Sequence, residues 1–132
     1  MQLISTRDAG PARGHYAQAV VHGEWVYVSG QLPVAPDGPL PVDAPFAQQA
    51  QQVLDNVQAI LQASGSNPSH IVKANVYVTD IACWPQFDAL YAQWLGPHRP
   101  ARCVVPVPTL HHGYLIEMDV IAIRDPQTPG AR

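Results

Sequence analysis

Between residues 46 and 61 apolar side chains recur at helical spacing: Phe46, Ala50, Val53, Leu54, Val57, Ile60 and Leu61. Such a stripe specifies a long amphipathic helix that becomes stable only when its apolar face is buried. Asp43 is a candidate N-cap, Pro45 falls in the first turn and Gly65 ends the run, with the glutamines between reading as the wet face. The surface available to this helix is set by the rest of the chain, most of which is β-patterned. Residues 17–29 read as a hairpin. Ala17, Ala19 and Val21 alternate, Gly23 marks the turn, and Trp25, Tyr27 and Ser29 alternate against Val26 and Val28. The Pro-rich stretch QLPVAPDGPLPVDAP reads as loop. Residues 71–79 (IVKANVYVT) are a strand by β-branched content, and a second helix spans 84–95 with Phe87, Leu90, Tyr91 and Trp94 on one face. Two further strands, about 101–107 and 114–123, are joined by the loop PTLHHG.

The order strand pair, helix, strand, helix, strand, strand predicts an α+β domain, a mixed sheet with two helices packed on one face. The other face then needs cover, which partner subunits can supply. At 132 residues the chain is one domain, with its core at about 5–123 and 124–132 as a tail. Only 13% of residues are charged against a usual ~25%. So few charges fit a homo-oligomer that hides part of its surface. The net charge is −3, Lys73 is the only lysine, and the arginines are scattered, which argues against nucleic acid as a partner. MQLISTRDAG has no apolar signal region and no apolar run approaches the ~18 residues of a membrane span. A cytoplasmic protein with reduced Cys83 and Cys103 is the expectation.

Three groups of residues could carry chemistry. His111 and His112 are adjacent in a loop without a third ligand at metal-site spacing, so they read as solvated histidines and no metal is expected. Cys103 lies in an apolar run and reads as a buried structural cysteine. Arg102 and Glu117 are charges inside the two most strand-like segments, Glu117 with Asp119 two residues on. Lying on consecutive strands, they are expected to be neighbours across one sheet. One reading is a salt bridge. The other is a carboxylate clamp, since guanidinium meets carboxylate with two parallel hydrogen bonds, beside a glutamate that holds a water and takes its proton.

HYAQAVVHGEWVYVSGQLPV, DNVQAILQASG, IVKANVYVTD and RPARCVV…LIEMDVIA occur in the order and spacing of the RidA family, also called YjgF/YER057c/UK114, and the chain resembles that family over about residues 5–123. The resemblance implies a chorismate-mutase-like protomer assembled as a homotrimer with sites between subunits. It also implies cofactor-free hydrolysis of 2-imino acids, such as 2-iminobutanoate and 2-iminopropanoate, to 2-keto acids and ammonia. By position, Arg102 matches the arginine that holds the substrate carboxylate and Glu117 the glutamate that positions water. Tyr16 and Ser29 match further substrate-contacting positions. The chain departs from the family where Val104 replaces a cysteine, Asp88 an asparagine, and Pro108 and the LHHG loop their usual counterparts. A main-chain role passes to valine unchanged, whereas a thiol role does not. Asp88 adds negative charge if it lines the site. The alternatives are a non-catalytic trimer binding small carboxylates and, against the charge balance, an RNA-cleaving translation inhibitor. Trp25 and Tyr91 could wall the site, with core packing the simpler reading for each.

Overall fold

The structure, a computed structural model, describes residues 1–125. Five segments precede the first long helix: β1 (Gln2–Ile4), β2 (Ala19–His22), β3 (Trp25–Gln31), β4 (Val34–Ala35) and β5 (Gly38–Pro39). Then come α1 (Phe46–Ala63), β6 (Ile71–Val78), α2 (Trp84–Leu95), β7 (Ala101–Pro106) and β8 (Ile116–Ile123). The hairpin, both helices and the three later strands lie where their periodicities place them. Two pieces were not legible. β1 is too short to show a pattern, and the Pro-rich stretch is not all loop, because β4 and β5 pair across a tight turn.

Six strands form one sheet in the order β1-β2-β3-β8-β6-β7. All neighbours are antiparallel except β6 and β7, which run parallel through the α2 crossover. Alternation sorts the side chains into two faces. Val26, Val28, Ala74, Val76, Val78, Ile116, Met118 and Val120 point under the helices and are buried with Val53, Leu54, Val57 and Ile60 of α1 and Phe87 of α2. Burying each of these side chains larger than alanine is worth roughly 1.5–3 kcal/mol, so this layer holds the domain together. The opposite face carries Trp25, Tyr27, Asn75, Tyr77, Glu117, Asp119 and Ile121, and no helix of the described residues covers it. Trp25 is therefore an open-face residue, 44% exposed, and not a core one.

Three expectations about α1 and the C-terminus change. Asp43 does not cap the helix: Pro45 stands at the N-cap position with no side-chain cap bond. Gln49 does related work from inside the helix. Its amide donates to the carbonyls of Val42 (3.2 Å) and Ala44 (2.9 Å), while its oxygen accepts from the Leu115 amide at 2.9 Å. Gln49 and Asn56 thus lie on the buried face, not the wet one. Arg124 and Asp125, counted with the tail, are tied down through their amides to Glu24 (2.8 Å) and Gly65 (2.8 Å). The rest of the expected tail, 126–132, lies outside the described residues.

Candidate functional site

Glu117 stands mid-way along β8 on the open face, opposite Tyr77 of β6. It lines a cavity of about 480 Å³ with Tyr16, Ser29, Gly30, His111 and His112. One wall is the irregular segment before β2, held by the buried Gln18. Its side-chain amide donates to the carbonyls of Thr6 (3.1 Å) and Gly10 (2.9 Å), and its oxygen accepts from the Thr6 amide at 2.7 Å. Ser29 binds the same segment, donating its hydroxyl to the Ala17 carbonyl at 2.7 Å. Its donor is thus committed to structure, and only its lone pairs can serve a ligand. Tyr16 is half exposed at the mouth.

The floor explains a glycine that sequence reasoning passed over. The pairing of β3 with β8 slips between Val28 and Gln31, and Gly30 falls in the slip. A Cβ on Gly30 would overlap Glu117 Oε2. The signal was present in VSGQ, since an isolated glycine inside a strand pattern marks a bulge or a close approach. The two histidines, read as solvated loop residues, are exposed yet line this cavity, with His112 in the left-handed region at φ 63°. Among the described residues no cluster of three or more His, Cys, Asp or Glu could hold a metal ion.

Burial lifts the Glu117 carboxyl above the ordinary glutamate range, Asp119 raises it further, and His111 opposes them. Asp119 is fixed by Asn75, whose amide donates to it at 2.8 Å. A carboxylate whose proton affinity is raised while water still reaches it is suited to general-base work.

Arg102 lies elsewhere. In the parallel register it pairs with Ala74, a covered-face residue, so its side chain leaves the sheet on the helix side. It lines a second cavity, about 470 Å³, with Asp88, Tyr91 and Arg99. One guanidinium nitrogen donates to Asp88 Oδ1 at 2.9 Å. The guanidinium carbon sits 4.3 Å from the Trp84 ring centre and 5.0 Å from that of Tyr91, an aromatic cradle for the cation. Tyr91 is thus both buried, as core packing requires, and a wall of this cavity. The expectation that Arg102 and Glu117 are neighbours is overturned. β6 lies between β7 and β8, and the two side chains project from opposite faces. Strand order in a sheet with a crossover does not follow chain order.

Val104 points toward the core, but its backbone does not. The Val107 amide donates to the Val78 carbonyl at 2.9 Å. Along a parallel strand the bonding direction alternates, so Val105 and Cys103 also face β6 while the main-chain groups of Arg102 and Val104 face the free edge. Pro106, with no N–H, falls at another outward position, where its loss costs the sheet nothing. Cys103 is exposed on the open face, not buried as expected, because β7 is an edge strand. Cys83 is partly buried, and burial, followed by Asp80, pushes its thiol up, away from the reactive thiolate.

These features define an α+β domain with two helices on one sheet face, a cavity lined by Glu117 on the other and an arginine cradle at the sheet edge. Residues 6–124 match the family described as Endoribonuclease L-PSP, and the chain belongs to this family, the RidA family. It is 40% identical over 127 residues to an Escherichia coli protein named 2-iminobutanoate/2-iminopropanoate deaminase, covering 93% of this chain and 98% of that one. It is 41% identical over 120 residues to the Saccharomyces cerevisiae protein MMF1, mitochondrial, covering 91% and 82%. The crystal structure of E. coli TdcF with bound serine superposes with a TM-score of 0.89 at 35% identity, covering 95% of this chain and all of that one.

Proposed function

We propose that the protein hydrolyses 2-imino acids to 2-keto acids and ammonia at sites that two protomers build together. The observation carrying this reading is the Glu117 cavity: a half-buried carboxylate of raised proton affinity, cleared by a glycine and open to water. The deaminase names of relatives at 35–40% identity support the same chemistry.

Arg102 docks the substrate carboxylate, with the outward main chain at Val104 beside it and Tyr16 and Ser29 closing the opposite wall. Protonation of the imine nitrogen makes C2 electrophilic. Glu117 takes one proton from a water as its oxygen bonds to C2, giving a carbinolamine, and hands that proton to nitrogen. The hydroxyl then gives its own proton back to Glu117 as the C–N bond breaks, leaving ketone and ammonia, and Glu117 passes that proton to solvent. No step calls for a cofactor or metal. Because Arg102 and Glu117 leave the sheet on opposite faces, one protomer does not bring both to one substrate. A cyclic assembly does, by setting the β7 edge of one copy against the Glu117 cavity of the next. A homotrimer that buries the open sheet face meets this requirement, in a cytoplasmic setting.

The test is loss of freshly generated 2-iminopropanoate in competition with semicarbazide. Wild type accelerates the loss, Arg102→Ala is impaired chiefly in KM, and Glu117→Gln docks substrate but loses kcat by about 10²–10⁴-fold. Glu117→Gln turning over at the wild-type rate contradicts the base assignment.

A further inference from the structure

The arginine proposed as substrate anchor is not free. Asp88, one turn after Trp84 on α2, holds one of its guanidinium nitrogens at 2.9 Å, and the aromatic rings of Trp84 and Tyr91 keep the guanidinium there. Within one protomer the contact faces an open cavity, with the Arg102 and Asp88 side chains 27% and 49% exposed. An ion pair this wet is weak enough for a ligand to displace or share. Any carboxylate that docks on Arg102 therefore meets a second carboxylate on the same guanidinium. Two like charges sharing one partner disfavour each other.

That repulsion does not fall equally on the two ends of the reaction. A protonated 2-imino acid carries a positive nitrogen next to its carboxylate, so Asp88 repels one group and attracts the other. The 2-keto acid product has an uncharged carbonyl in that place and feels only the repulsion. We infer that Asp88 is a specificity-determining residue that shares the Arg102 guanidinium so as to weaken binding of 2-keto acid anions relative to zwitterionic 2-iminium acids, and thereby speeds product release. The inference rests on Arg102 being the carboxylate anchor of the reading above.

The experiment measures pyruvate binding calorimetrically to wild type, Asp88→Asn, Arg102→Ala and the double variant, and the KM for 2-iminopropanoate where turnover occurs. Asn keeps the shape of Asp without its charge, and position 88 is exposed enough that thermal unfolding should barely change. Asp88→Asn is expected to tighten pyruvate about tenfold, the scale of a like charge at ~5 Å in a partly wet site. The KM should move less than threefold, and the gain on pyruvate should vanish when Arg102 is also replaced. Pyruvate binding that is unchanged, weaker or absent in Asp88→Asn overturns the inference, as does an equal shift in Kd and KM. Failure of wild type to hydrolyse imines would instead defeat the proposed reaction, because the pyruvate arm reads the guanidinium without turnover.

Discussion

Glu117 keeps its place because the residue beneath its carboxylate has no side chain. Gly30→Ala should therefore displace the carboxylate while leaving the fold intact, because the overlapped atom is the end of a flexible side chain. The expected outcome is a loss of kcat of tenfold or more, on the scale of misplaced catalytic groups, with a melting temperature near that of wild type. The groups facing Glu117 also set its pH dependence. They are Asp119 on the same strand, Tyr77 on β6 and His111 in the turn that precedes β8. Only the ionised form is a base, so turnover is present above the raised Glu117 pKa and falls as pH drops through it. Asp119→Asn removes a like charge and should move this acid limb of kcat to lower pH. His111→Gln removes a compensating charge and should move it higher. Limbs that coincide in all three proteins would place the titration elsewhere. At this scale the sequence singles out Arg102 and Glu117, since charges within apolar strand runs stand out. It was silent about Gly30 as a partner of Glu117, because that contact depends on a register slip between strands far apart in the chain.

Among the elements, α1 does more than cover the sheet. Its buried polar residues fasten neighbouring loops, among them the one whose Leu32 and Val34 line the Glu117 cavity. Gln49 secures 42–44 and the start of β8, and Asn56 donates to the carbonyls of Leu32 (3.3 Å) and Val34 (2.8 Å). Gln49→Ala removes three hydrogen bonds, one buried and two partly buried, at about 1 kcal/mol each. It should lower the melting temperature by roughly 10 °C for a domain of this size, while exposed Gln51→Ala should leave it unchanged. Equal effects would mean that the buried amide carries no special stability. The helices and main strands were legible because 3.6- and 2-residue periodicities survive along each of them. The buried glutamine was not. It occupies a position on the apolar stripe, three residues after Phe46, but apolarity is the only signal that periodicity reads. The order of strands was also hidden, since the α2 crossover lays β7 beyond β6 and so carries Arg102 away from Glu117.

For the whole molecule, the open sheet face and the separation of Arg102 from Glu117 raise one question. Tyr27 and Trp25 are nearly half exposed there, beside Ile121 and the Asn75–Asp119 pair. A monomer would leave this surface in water and the arginine remote from Glu117. A ring of identical protomers removes both difficulties at once, with each copy giving its Arg102 edge to one neighbour and its Glu117 cavity to the other. The most direct measurement is subunit complementation. Arg102→Ala and Glu117→Gln proteins, each nearly inactive in imine hydrolysis, are unfolded together in equal amounts, refolded and assayed. Sites shared between protomers predict recovery of about one quarter of wild-type kcat/KM, read at substrate well below KM, because in a randomly mixed ring one interface in four joins an intact arginine to an intact glutamate. A mixture no more active than its two components, in assemblies shown to have exchanged subunits, would contradict the account by placing both residues in a site that one chain builds alone.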